Sequence, residues 1–320
     1  MALEHHMVDT NGVRLHCAVD GAGPLVLFLH GFPECWYSWR HQLAALAPRF
    51  RVVAPDLRGY NLSEKPPGVD SYALPTLVED VAGLVRTFGE REAVIVGHDW
   101  GGGVAWQFAM DHPEATRRLV VMNCPHPAVF AEHLRTDPAQ LARSWYMFFF
   151  QLPWLPETLL GLSGAWPVAL ALRRSAVHKD AFTDDDMRVL RQAASQPGAL
   201  GSAINYYRAI FRSDEAAASW PAWLRRFVHG TEAAAVVPRR LEDWPKIAAP
   251  TLLLWGEEDV ALGKQLTEGM GPLFSGPFTR TYIPGCGHWV QQEEPERVSA
   301  ALLDFLVDVR PAERTAPSPA

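Results

Sequence analysis

Cysteine is scarce: Cys17, Cys35, Cys124 and Cys286 are scattered through 320 residues, with no Cys-x-x-Cys pair and no metal-like spacing to histidine. Neither a disulfide nor a zinc site is expected, and reduced thiols suit a reducing compartment. Runs of Lys or Arg are missing too, and with a net charge of -7 nothing favours nucleic acid or an anionic membrane surface as partner. The opening residues MALEHHMVDTNG lack the apolar stretch of a secretory signal, so export is not expected and a cytoplasmic location is. There is no internal repeat. Residues 146–172 form the one apolar stretch long enough to cross a bilayer, which needs about 20 residues. Gln151, Pro153, Pro156, Glu157, Gly161, Gly164 and Pro167 interrupt it, a pattern that suits short helices lining a pocket better than a membrane span.

What is present is a hydrophobic share of 48%, enough for one large core with a sizeable insertion. Residues 8–20 alternate around Asn11-Gly12, a dipeptide that turns a hairpin. Short apolar runs at 25–29, 51–54, 93–96 and 118–122 then alternate with amphipathic stretches near 36–46, 74–88 and 102–111. That alternation predicts a parallel sheet with crossover helices. The pattern stops from about Pro125 to Pro245, where Trp-rich, Pro-punctuated helical sequence replaces it. Strands at 251–255 and 278–283, with helices near 264–270 and 295–309, resume it. Two late strands are too few for a sheet of their own. One core, residues 1–125 and 245–310, split by a helical lid over 126–244, is therefore expected, followed by a polar, Pro-rich tail at 311–320 expected to be disordered.

The run Val94-Ile95-Val96-Gly97-His98-Asp99-Trp100-Gly101-Gly102-Gly103 reads as a buried strand that ends in Gly-x-Asp-x-Gly and enters a helix. In a Gly-x-Ser-x-Gly elbow the middle residue sits on a strained strand-to-helix turn, and small neighbours let the two backbones approach. Here the middle residue is Asp99. A carboxylate is ionised at neutral pH and attacks a saturated carbon without a base to deprotonate it, leaving an ester on the protein. The competing structural explanation is that Asp99 merely caps the helix.

Two further segments favour chemistry. His30-Gly31-Phe32-Pro33 follows the strand at 25–29, where such folds place one oxyanion-hole N–H; the other follows the nucleophile. Those donors would be the backbones of Phe32 and Trp100, with a Phe32-Pro33 bond suited to the cis form and His30 as a buried structural residue. Gly285-Cys286-Gly287-His288-Trp289 follows the last strand, and Trp255-Gly256-Glu257-Glu258-Asp259 follows the one before. The order nucleophile, acid, histidine assigns water activation to His288 and its orientation to Asp259, with Glu257 and Glu258 as solvated competitors.

From residue 8 to residue 309 the chain resembles the epoxide hydrolases of the α/β-hydrolase superfamily. The resemblance is carried by HGFPECWYSWR from His30, DLRGYNLSEKP from Asp56, VGHDWGG from Val96, FQLPWLPE from Phe150, NYYRAIF from Asn205, LLLWGEED from Leu252 and GCGHWVQQEEP from Gly285. It implies an α/β-hydrolase fold with a mostly parallel sheet and an inserted helical lid, no cofactor and no metal, and a small lipophilic epoxide as substrate. It further implies two lid tyrosines that protonate the leaving alkoxide, here Tyr146 and Tyr207, with Tyr206 the competitor for the second position. A phenol with a pKa of about 10 stays protonated at neutral pH yet is far more acidic than water. Two features depart from the pattern: Asn61 replaces a frequent glycine after DLRGY, tolerable because Asn adopts left-handed angles, and residues 213–243, with Trp220, Trp223, Arg225 and Arg226, are longer than expected. A dehalogenase of the same fold also uses an elbow aspartate, but Phe32 stands where haloalkane dehalogenases often carry Asn, and Trp100 where fluoroacetate dehalogenases carry Arg. A halide needs N–H donors and no proton, which leaves paired tyrosines without purpose. A binding protein that lost the chemistry would be free to lose Asp99, Asp259 or His288.

Overall fold

A computed structural model describes residues 3–212 and 240–310. The expectations for the tail at 311–320, and for most of the long segment at 213–243, lie outside the described residues. Eight strands form one sheet: β1 (Glu4–Thr10), β2 (Val13–Asp20), β3 (Leu25–Leu29), β4 (Arg51–Pro55), β5 (Ala93–His98), β6 (Thr116–Met122), β7 (Thr251–Gly256) and β8 (Phe278–Ile283). Their order is β1-β2-β4-β3-β5-β6-β7-β8. The β1–β2 and β2–β4 pairs are antiparallel and the others parallel. The antiparallel edge follows from the Asn11-Gly12 turn, where both residues take positive φ, 43° and 69°. The parallel strands are buried on both faces, so β3, β5 and β7 read as unbroken apolar runs rather than alternations.

Helices α1 (Arg40–Leu46), α2 (Leu74–Thr87), α3 (Trp100–Asp111) and the late pair α10 (Val290–Glu293) and α11 (Pro295–Phe305) cover the sheet. In α2, Leu77, Val78, Val81, Leu84 and Val85 recur at helical spacing and are buried. One core lies under α2 and α3 around Ile95, Trp106 and Trp255, the other under α1 and α11 around Phe28, Trp39 and Val96. Each large side chain buried in this way contributes about 1.5–3 kcal/mol. The helix expected near 264–270 is only a single turn, Lys264–Thr267. Gly263, Gly269 and Gly271 surround it, and the Thr267 hydroxyl bonds back to the Lys264 carbonyl, which leaves too little chain to nucleate an α-helix.

Between β6 and β7 the described chain is helical: α4 (Pro127–Thr136), α5 (Pro138–Arg143), α6 (Trp145–Phe149), α7 (Leu155–Ser175), α8 (Asp184–Ala194) and α9 (Ala199–Arg212). Among the described residues α7 alone has the length and composition to cross a membrane. It breaks at Leu162, Ser163, Gly164 and Ala165, which leave helical angles, and carries Pro167. Its inner side packs Val168 and Leu172 against Phe182, Leu190 and Trp289. The Trp289 indole donates to Ser175 Oγ at 2.8 Å, tying the loop after β8 to this helical layer.

Candidate active site

Chain direction places the site, because the parallel strands all end at one edge of the sheet and the loops that follow them converge there. Asp99 follows β5 with φ 49° and ψ -121°, a strained conformation for a non-glycine residue. The strain is held by close backbone contact. A Cβ on Gly101 would lie 2.0 Å from the Leu29 carbonyl oxygen, and one on Gly97 2.3 Å from that of Gly101. Gly31 brings the other loop against the carboxylate, with room for no side chain beside Asp99. Asp99 makes no side-chain capping bond to the helix it precedes. Its Oδ1 instead accepts the Phe32 N–H at 2.7 Å, beyond which the Phe32-Pro33 bond is cis. Of the two expected oxyanion donors, Phe32 engages the carboxylate; the Trp100 N–H stands in the first turn of α3, whose donors have no intrahelical acceptor.

His288 lies beside Asp99, with Nε2 3.7 Å from Oδ2. Its Nδ1 meets Asp259 Oδ2 at 2.6 Å. Of the three neighbouring acids, then, Asp259 faces the imidazole, whereas Glu257 pairs with Lys264. Asp259 is saturated with donors: Asn123 Nδ2 at 2.7 Å on one oxygen and the N–H groups of Ala261 and Leu262 at 2.8 and 2.9 Å on the other. Burial opposes ionisation of Asp259, but the charge and hydrogen bond of His288 outweigh it and lower the carboxyl below its usual range. Asp99 is lowered in the same way, burial being overcome by His288. Burial opposes the charged form of His288 too, yet Asp259 and then Asp99 hold it well above its ordinary value.

Spacing alone does not announce Asn123, Glu34 and His98. Asn123 directly follows β6 at φ 40° and also accepts the Gly256 N–H at 2.8 Å, locking the end of β6 to the end of β7, from which the loop carrying Asp259 leaves. The buried Glu34 carboxylate takes His98 Nδ1 at 2.9 Å and Gln292 Nε2 at 2.6 Å, while His98 Nε2 bonds the His288 carbonyl at 2.9 Å. The signal available was position: His98 directly precedes Asp99, and Glu34 directly follows the cis proline. His30 is fully buried and structural, bonding the Gly31 carbonyl and the Leu57 N–H.

A cavity of about 110 Å³ opens over Asp99, lined by Trp100, Cys124, Phe130, Tyr146 and Tyr207 among others. Both tyrosines belong to the helical layer, Tyr146 on α6 and Tyr207 on α9, with ring centroids 5.8 Å apart. Burial and then the charge of Asp99 push both phenols up from their ordinary value, so both stay protonated. Tyr206 points elsewhere, its hydroxyl donating to the Arg58 carbonyl at 2.7 Å. Among the described residues, Asp99 is the one ionised side chain that lines the cavity. Among the described residues no cluster suited to a metal ion occurs.

An aspartate elbow and an acid-supported histidine at the ends of parallel strands make this a hydrolase of the α/β class. The chain belongs to the alpha/beta hydrolase fold family, whose model matches residues 24–295. It is 38% identical to epoxide hydrolase 3 of Mus musculus over 94% of this chain and 76% of that one. It is 32% identical to epoxide hydrolase A of Mycobacterium tuberculosis over 94% and 96%. A solved Bacillus megaterium epoxide hydrolase in complex with an inhibitor superposes with a TM-score of 0.82 at 30% identity, covering 95% of this chain and all of that one. Within the α/β hydrolases, the chain is therefore a member of the epoxide hydrolase family.

Proposed function

We propose that the protein hydrolyses a small lipophilic epoxide to a vicinal diol through a covalent ester on Asp99. The observation that carries this reading is one apolar cavity bounded by an ionised carboxylate below and two protonated phenols above. Asp99 Oδ2 attacks an epoxide carbon, the ring C–O bond breaks, and the alkoxide takes a proton from the Tyr146–Tyr207 pair. Oδ1, already bonded to the Phe32 N–H, becomes the ester carbonyl oxygen, so that donor stands ready for the oxyanion formed when water adds. Trp100 N–H is the second donor in this reading.

The same charges time the two steps. While Asp99 is an anion it helps hold His288 protonated; forming the ester removes that charge and lowers the proton affinity of the imidazole. The imidazolium then gives its proton to the tyrosinate, restoring the phenol, and His288 becomes a base once there is an ester to hydrolyse. It takes a proton from water, returns it to the departing alcohol, and Asp259 supports the imidazolium between. The regenerated Asp99 carboxyl releases its proton to His288, restoring the carboxylate–imidazolium pair for the next turnover. The lid over residues 126–244, on the core of 1–125 and 245–310, supplies the neutral donors and excludes water. The cytoplasm, where four buried thiols stay reduced, is the compartment assigned.

His288→Gln tests the scheme. Epoxide opening should survive, hydrolysis should slow by about 10² to 10⁴-fold, and mass spectrometry should find protein heavier by one substrate on the peptide containing Asp99. A single wild-type turnover in ¹⁸O-water should label Asp99 before the diol. An inactive, unmodified variant together with labelled diol from the first turnover would replace the ester with direct attack by water.

A further inference from the structure

The two phenols sit on different helices, α6 and α9, and something must fix the distance between them. Side chains at 204, 207 and 211 of α9 pack with Met147 and Phe150, which holds the interface together without fixing its register, since apolar contact is non-directional. Arg208, one residue past Tyr207, points sideways from that face. Its Nε donates to the Phe150 carbonyl at 3.0 Å and its Nη2 to the Leu152 carbonyl at 2.7 Å. Its Nη1 meets Glu157 Oε1 at 2.6 Å. The Phe150 N–H in turn donates to the Tyr146 carbonyl at 2.9 Å. Two successive hydrogen bonds thus join the residue after Tyr207 to the backbone of Tyr146.

We infer that Arg208 is a positioning residue for epoxide opening, clamping the C-terminal end of α6 to α9 so that both hydroxyls reach one alkoxide. The carbonyls past the end of a short helix have no intrahelical donor, and a planar guanidinium supplies several in fixed directions. Lysine carries the same charge but has no such fork. Glu157 engages with one oxygen only, its Oε2 being buried without a partner, so the carbonyl bonds carry the geometry. The clamp touches neither Asp259 nor His288. It therefore serves only the first half-reaction, and a displacement of about 1 Å at a reacting group costs as much as about 10²-fold in rate.

This inference rests on the proposed ester mechanism, and the test separates the two. Wild type, Arg208→Met, Arg208→Lys and, as a control on the exposed Arg188–Asp185 pair, Arg188→Met are mixed with styrene oxide. Rapid quench and mass spectrometry then follow formation and decay of the Asp99 ester. Arg208→Met should slow ester formation by about 10- to 100-fold and leave its decay within about twofold; Arg208→Lys should fall between it and wild type, and Arg188→Met should match wild type. Should Arg208→Met fail to fold, the lysine variant carries the test, with ester formation slowed and decay unchanged. Equal slowing of both steps in a folded variant, or wild-type ester formation in Arg208→Lys, overturns the clamp while leaving the ester mechanism standing. A wild-type enzyme that forms no ester on Asp99 overturns both.

Discussion

The floor and the roof of the cavity are built on opposite principles. The floor holds charge: Asp99, His288 and Asp259 are fixed by backbone N–H groups, Asn123 and glycines that admit no Cβ. The roof holds neutral phenols: Tyr207 is packed by the rings of Phe32, Trp100, Tyr146 and Phe150 at centroid distances of 4.9 to 5.8 Å. The difference follows from desolvation. A buried charge needs directional donors to exist at all, whereas burial beside the Asp99 charge keeps the phenols protonated, Tyr207 included despite its hydrogen bond with the Trp100 side chain. A polar framework and an aromatic cage are thus each matched to the protonation state their proposed residues use.

The largest break in this comparison comes from removing charge from the floor. Asp99→Asn keeps the shape and loses the proposed attacking group, so freshly purified protein should release no diol above the uncatalysed rate in a steady-state assay. Full immediate activity would remove Asp99 as nucleophile. Changing the roof should cost less, since one donor is lost and a second remains. Tyr207→Phe, and Tyr146→Phe likewise, should slow ester formation by about 10²-fold or more while leaving its hydrolysis rate unchanged in single-turnover measurements. Wild-type rates in both and in the double mutant would show that the roof does no proton transfer.

Smaller effects probe the supports. Gly101→Ala drives a methyl into the Leu29 backbone and should destabilise the fold by about 1–3 kcal/mol in denaturant unfolding, the usual range for overpacking. The least conspicuous effect is on stability against pH. Asp99 and Asp259 have lowered pKa values, so their stabilisation is present above the ordinary carboxylate range and lost as pH falls through the folded values. His288 is raised, so its contribution is complete below about 6.5 and lost as pH rises through the folded value. Thermal melts should decline on both sides, and Asp99→Asn should flatten both limbs. An unchanged profile would mean that the floor charges are not coupled as the distances imply.

The sequence by itself determined what local chain geometry encodes: alternation for the hairpin, unbroken apolar runs for buried parallel strands, Gly-x-Asp-x-Gly for the elbow, and Asn61 at φ 39° where a left-handed residue was needed. Those patterns are set within a few residues, so spacing suffices to read them. Tertiary structure decided which of Glu257, Glu258 and Asp259 meets His288, because three adjacent acids differ only in direction once the loop is folded. It set Tyr207 over the cavity and sent Tyr206 to Arg58, since successive helix residues diverge by about 100° and only packing says which face is inward. It gathered Asn123, Glu34 and His98 around the floor and laid Arg208 across the roof. These contacts join residues dozens to hundreds of positions apart, and long-range contact leaves no mark in the spacing of a single chain.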